Sequence, residues 1–131
     1  MEKILVDTDI LIEFFRIKDR SLSLYSKIFR INTHIPMISS VTIAELFAGR
    51  SIQDKREEAI LKEFLSKVEI LYSNFEVMKL TGEIMRSSDY KATFQDAEIA
   101  SCALYYDLPL LTKNVKDFRK ILGLKLFDEN G

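Results

Sequence analysis

The stretch Ile4-Leu5-Val6-Asp7-Thr8-Asp9-Ile10-Leu11-Ile12-Glu13-Phe14-Phe15 decides the fold. Its first three residues form an unbroken apolar run, the pattern of a strand covered on both faces. Asp7 ends that run. Ile10 to Phe15 is a second apolar block with Glu13 inside it, and it reads as a helix packed back onto the sheet. A buried strand turning at Asp7 and Thr8 into a covering helix is the opening of an α/β layer. It leaves Asp7 at the carboxyl end of the strand.

The same alternation continues along the chain. Leu22, Tyr25, Ile28 and Phe29 recur at helical spacing, and Ile35 to Ile38 reads as a second strand, with Pro36 tolerable near its beginning. Ser39 and Ser40 introduce a helix carrying Ile43, Leu46 and Phe47 that stops at Gly49. A charged helix from about Asp54 to Leu65 has Ile60, Leu61, Phe64 and Leu65 as its apolar stripe. Val68 to Leu71 is a third strand, and Phe75 to Arg86 keeps a helical period through Val77, Leu80, Ile84 and Met85 despite Gly82. Ser87 to Phe94 is a polar loop. Asp96 opens an Ala-rich helix running to about Tyr106, followed by a strand at Leu110 to Thr112, a helical turn over Asn114 to Leu122, and a last strand at Leu124 to Phe127. Strands alternating with helices predict a three-layer α/β domain, its central, mostly parallel sheet of four to five strands flanked by helices. No repeat, low-complexity tract or linker divides residues 1–131, so a single domain is expected.

Composition narrows the function. The 131 residues are 47% hydrophobic and 30% charged, with 4 Gly and 2 Pro, which excludes collagen-like and Pro/Gly-rich disordered chains. Nineteen basic against 20 acidic side chains give a net charge of −1, so any polyanion must be held by local patches. The amino-terminal apolar run is too short for a signal peptide, and no stretch reaches about 18 apolar residues. A cytoplasmic protein without membrane contact is expected. Cys102 lies in an apolar helical stretch and reads as a buried thiol, and His34, ahead of a strand, reads as structural.

The acids fall at telling places. Asp7 ends the first strand, Glu45 and Asp96 stand in the first turns of helices, and Asn114 and Asp117 follow the strand Leu110 to Thr112. In an open α/β sheet those are the carboxyl ends of strands and the amino ends of helices, where ligands bind. Carboxylates gathered there repel one another unless a cation intervenes. One His and one Cys give no zinc set. Oxygen donors suit Mg²⁺ or Mn²⁺, and the natural reaction is water attacking a phosphodiester. A structural reading competes: Thr42 and Glu45 have capping-box spacing with Val41 and Leu46 as staple, Thr93/Asp96 and Asn114/Asp117 repeat that spacing, and Asp7 and Asp9 are placed to cap the first helix.

The motifs ILVDTDILIEFF, SSVTIAELFAG, QDAEIASCAL and LPLLTKNVKDF, in this order, resemble those of the PIN-domain ribonucleases. In size and layout they resemble the toxins of type II (VapBC-like) toxin–antitoxin pairs. The resemblance spans Ile4 to Leu126. It implies a PIN-like fold, Mg²⁺- or Mn²⁺-dependent endonucleolytic cleavage of RNA, a homodimer, and a small antitoxin that blocks the active groove. It makes Asp7, Glu45 and Asp96 the metal-binding acids, with Thr112, Asn114 and Asp117 near the metal. Asp7 and Asp96 are the direct ligands on this reading. Glu45 ligates through water or orients the attacking water, Thr112 positions Asp7 or a water, and Asn114 donates to a carboxylate or phosphate. Asp117 either supplies a fourth carboxylate or serves its helix.

Three features depart from the family's pattern. Many relatives carry Asn where this chain has Asp9, which is expected to cap the helix rather than point into the site. The segment SSDYKATFQD lacks a Gly-rich approach to Asp96. Asn114 is neutral where some members have an acid. For phosphate contact, Lys113 and Lys116 lie nearest the crevice, ahead of Arg16, Lys18 and Arg20 and of Arg50, Lys55 and Arg56. Tyr25, Phe29, Phe47, Phe64 and Phe75 read mostly as core. A non-catalytic RNA- or protein-binding module on the same fold is the main alternative, and a phosphatase-like domain with an Asp nucleophile near Asp7 is a weaker one.

Overall fold

The computed structural model describes residues 1–49, 52, 54–87 and 90–128. Four strands, β1 (Glu2–Val6), β2 (His34–Ser39), β3 (Glu69–Leu71) and β4 (Leu110–Leu111), form one sheet in the order β3-β2-β1-β4. Every pairing is parallel, with Leu5 opposite Met37 on one side and Leu110 on the other. The expected fifth strand over Leu124 to Phe127 is reduced to a single bridge, Leu110 to Leu126. Leu110 N–H donates to Lys125 O and Phe127 N–H to Leu110 O, and the pairing goes no further.

Alternation along the strands builds two cores. Ile4, Val6, Ile38 and Leu111 face one side, where they meet Ile10 and Leu11 of α1 (Thr8–Arg16), Ile28 of α2 (Leu24–Phe29), Leu46 of α3 (Ser40–Ala48), and Leu61 and Leu65 of α4 (Lys55–Lys67). Leu5, Met37 and Leu110 face the other side. They pack on Val77 of α5 (Phe75–Arg86), on Ile99, Ala100, Cys102 and Ala103 of α6 (Phe94–Tyr105), and on Phe118 of α7 (Val115–Phe118). Three layers result, as the apolar runs predict, and Cys102 is buried.

Several boundaries moved for local reasons. Leu22 to Phe29 splits into a 3-10 turn (Arg20–Leu22) and α2, because Ser23 caps the helix by accepting from Ser26 N–H. Asn74 and Asp54 cap α5 and α4 in the same way. Of the expected core aromatics, Tyr25, Phe29 and Phe64 pack against the first core. Phe47 and Phe75 do not, Phe75 being 76% exposed at the first position of α5. No helix among the described residues is long and apolar enough to cross a membrane.

The chain runs outward from β1 to β2 to β3 and then returns to the far side of β1 for β4. The direction of winding therefore reverses between β1 and β4. A crevice opens there beyond the strands' carboxyl ends.

Candidate metal-binding carboxylate site

Asp7 and Thr112 flank that reversal point, directly after β1 and β4. Asp7 N–H donates to Leu111 O at 2.9 Å, fixing the backbone. Its side chain is 5% exposed. Asp7 Oδ1 accepts from Thr8 N–H at 2.8 Å, making Asp7 the N-cap of α1, and Oδ2 accepts from Thr112 Oγ1 at 2.6 Å. The Thr112 hydroxyl in turn accepts from Asn114 N–H at 2.9 Å. Burial pushes Asp7 up to about 8, the neighbouring Asp9 charge adds to the rise, and the Thr112 and Thr8 donors oppose it.

The expectation that Asp9 caps the helix fails, because Asp7 already holds the cap position. Asp9 stands in the first turn of α1, and its side chain is within hydrogen-bonding reach of Asp7. Its charge raises Asp7, Glu45 and Asp96 alike. Asp9 Oδ1 is buried and makes no hydrogen bond. The extra acid of this chain thus adds negative charge beside Asp7 instead of capping the helix.

Glu45 lies in the second turn of α3 rather than the first. The capping box fails there too: Ser39 is the N-cap, without a side-chain cap bond, and Thr42 points inward. Glu45 Oε1 accepts from Thr8 Oγ1 at 2.7 Å, and Thr8 Oγ1 lies 2.9 Å from Thr42 Oγ1. A hydroxyl has one proton, so Thr8 gives its own to Glu45 and accepts that of Thr42. Burial raises Glu45, with the charges of Asp96, Glu98 and Asp9 adding and the Thr8 donor opposing.

Asp96 is at the third position of α6, where its N–H donates to the capping Thr93 Oγ1 at 3.2 Å. That residue pair does cap, but through the Asp96 backbone. Burial raises the Asp96 carboxyl, followed by the charges of Asp117 and Asp9. Asp117 stands in the first turn of α7, 3.9 Å from Lys120. Asn114 occupies the N-cap of α7 without a side-chain cap bond.

Sequence reasoning missed Thr8, Thr42 and Glu98. Glu98 is 1% exposed among buried Ala97, Ile99 and Cys102 of α6, accepts from Ser73 Oγ, and leaves Oε1 buried without a partner. A lone glutamate among Ala, Ile and Cys two residues past Asp96 was the available signal. Lys113, expected to meet phosphate, is instead paired with Glu13. Arg20 packs over Phe14 and Phe15, and Lys116 is exposed. Arg50 lies outside the described residues. His34 stacks edge-on against Phe127 and is 3.6 Å from Glu2, a structural role.

The donor set is all oxygen, its charges raise one another, and the buried Asp9 Oδ1, like Glu98 Oε1, lacks a partner. Those features suit a hard divalent cation. Among the described residues no three acid, His or Cys side chains stand close enough to form a finished ligand group.

The family model for the PIN domain matches residues 4–123. The chain is 31% identical over 133 residues to the tRNA(fMet)-specific endonuclease VapC of Salmonella typhimurium, covering 98% of both chains. It is 32% identical over 132 residues to Ribonuclease VapC1 of Methanocaldococcus jannaschii, covering 97% of this chain and 88% of that one. Among solved structures, the DNA-bound VapBC of Salmonella typhimurium is similar with a TM-score of 0.80 at 28% identity, covering 98% of both chains. VapBC2 from Rickettsia felis, bound to a promoter DNA fragment, gives 0.79 at 26% identity, covering 95% of this chain and 97% of that one.

Proposed function

We propose that this chain, which belongs to the PIN domain family and stands beside its VapC ribonucleases, is a Mg²⁺- or Mn²⁺-dependent endoribonuclease and the toxin of a toxin–antitoxin pair. The observation that carries the reading is geometric: at the reversal point between β1 and β4, Thr112 and the Thr8 N–H hold the Asp7 carboxylate while the Thr8 hydroxyl holds Glu45.

Asp7 and Asp96 would hold the cation, with Glu45 contributing through water and Asp117 from the rim. A bound Mg²⁺ or Mn²⁺ supplies a lower pKa for water and offsets charge on the phosphorane-like transition state. The chain's own residues prepare the site. Thr112 and Thr8 N–H hold the two Asp7 oxygens, so that the carboxylate keeps one orientation. Thr8 holds Glu45 Oε1, which fixes the carboxylate that would orient the attacking water. Asn114 is tied through its backbone to Thr112, which leaves its amide for a phosphate or carboxylate. Lys116, exposed two residues past Asn114, would meet the RNA backbone.

The antitoxin reading draws support from an apolar groove of about 240 Å³ between α1, α3 and α4. Ile12, Phe15, Leu46 and Leu61 line it, Arg16 stands on its edge, and Glu45 forms part of its wall. A segment seated there would reach the carboxylates. The similar solved structures are VapBC complexes, which supports a partner protein for this chain. A homodimer in the cytoplasm completes the reading, and Met78 and Met85 on α5 offer exposed apolar surface for it.

The deciding experiment is cleavage of RNA with and without Mg²⁺ or Mn²⁺, repeated with Asp96→Asn. Cleavage that needs the ion and disappears in the variant is expected. Metal-independent RNA binding without cleavage would favour the non-catalytic module instead.

A further inference from the structure

Lys113 sits between the two residues that anchor the site's last segment. Thr112 Oγ1 is bonded to Asp7 at 2.6 Å and Asn114 N–H to Thr112 Oγ1 at 2.9 Å. Consecutive Cα atoms are about 3.8 Å apart, so the Asp7 carboxylate is within about 9 Å of the Lys113 Cα, the span of a lysine and one hydrogen bond. Yet the ammonium does not go there. It pairs with Glu13 Oε2, while Glu13 Oε1 accepts from Leu24 N–H at 2.9 Å, the first residue of α2.

Glu13 follows Asp9 by four residues on α1, so the two side chains project from the same face about 5–6 Å apart at Cβ. The lysine is therefore held about one helical turn from Asp9, the acid beside Asp7. An ammonium on a flexible four-carbon stem is a natural competitor for a cation site built of carboxylates. In front of Asp7, Asp9 and Asp96 it would neutralise charge meant for a divalent ion.

We propose that Glu13 is a positioning residue that keeps Lys113 parked away from the carboxylates, leaving them free to take Mg²⁺ or Mn²⁺. The inference rests on the metal-binding reading of the site. Its anchor is rigid: the Glu13 carboxylate is fixed from its other side by the α2 backbone, so it offers the ammonium one place. Lys113 Nζ has donors left over at that place, which lets the parked lysine still meet a phosphate at the rim.

The test is Mn²⁺ binding by the intact protein, measured by titration without RNA. Glu13→Gln is expected to weaken Mn²⁺ binding about threefold to tenfold, because the released ammonium moves from one turn away to contact with the carboxylates. Glu13→Gln combined with Lys113→Gln is expected to return to the wild-type affinity. An unchanged affinity in Glu13→Gln, or a double variant as weak as the single one, overturns the proposal, the latter showing that Glu13 only supports α2. If the wild-type protein takes up no Mn²⁺, the metal reading fails on its own. The parked lysine is then decided by a crystal structure of metal-free Glu13→Gln, where Lys113 turned to Asp7, Asp9 or Asp96 supports it and Lys113 left at the surface overturns it.

Discussion

Thr112 Oγ1 donates to Asp7 Oδ2 at 2.6 Å across 105 residues of sequence, joining the ends of β1 and β4. The same hydroxyl accepts from Asn114 N–H, so its one proton has no other use. Thr112→Val keeps the shape and deletes the donor. The donor lowers the Asp7 pKa, so its loss pushes the carboxyl higher still. Mn²⁺ affinity and RNA cleavage at neutral pH should both fall about 10- to 100-fold. Thr112→Ser should recover most of the loss. A valine variant that cleaves like wild type would remove Thr112 from the scheme.

Asp7 gives the metal-free protein a pH signature. Its folded pKa, about 8, lies above the ordinary 3.8. The folded state therefore binds a proton that the unfolded state has released. The stability this contributes is complete below about 3.8, falls as the pH rises, and is gone above about 8. Chelated protein should be less stable at pH 8 than at pH 5.5 by roughly 3 kcal/mol, and unfold at a lower temperature there. Asp7→Asn should erase most of that slope and be the more stable protein at pH 8, while losing RNA cleavage. Thermal melts at the two pH values check both statements.

Asp9→Asn removes the charge that raises Asp7, Glu45 and Asp96 while keeping a polar side chain beside Asp7. All three carboxyls should move down toward their usual range, and the chelated protein should gain stability at pH 8. Mn²⁺ binding should weaken, since one negative charge near the ion is gone. RNA, itself an anion, should bind more tightly, so KM falls while kcat at saturating Mn²⁺ stays within about threefold. A loss of kcat as deep as that of Asp7→Asn would make Asp9 a ligand in its own right.

The architecture was legible because unbroken apolar runs such as Ile4 to Val6 demand cover on both faces, and the period-2 split of Leu5 from Ile4 and Val6 follows from that. Asp7, Asp96 and Asp117 do stand at their elements' edges, the signal that grouped the acids, whereas Glu45 was grouped with them on a first-turn position that α3 does not give it. Position along the chain said less about partners. Capping-box spacing at Thr42 and Glu45 hid an inward pair, since α3 starts two residues before Thr42 and turns that hydroxyl toward Thr8. Asp9 looked like a spare cap because Asp7 had not been recognised as holding both the cap and the site. Lys113 looked free because its partner Glu13 is 100 residues away, in a helix whose apolar face had claimed the reading.

The Thr42–Thr8–Glu45 relay separates stability from chemistry. Thr42 is fully buried, and its hydroxyl can give its proton only to Thr8, which passes its own to Glu45. Thr8→Val strands the Thr42 hydroxyl in the core, at a cost of about 1–3 kcal/mol. It also strips Glu45 of its donor, so the Glu45 pKa rises further. Adding Thr42→Val should return most of the stability, because both ends of the buried contact are then apolar. Cleavage should not return, because Glu45 still lacks the hydrogen bond that holds it. Melting temperatures and cleavage rates across the four proteins of this cycle test the point, and activity that recovers together with stability would reduce Thr8 to a packing residue.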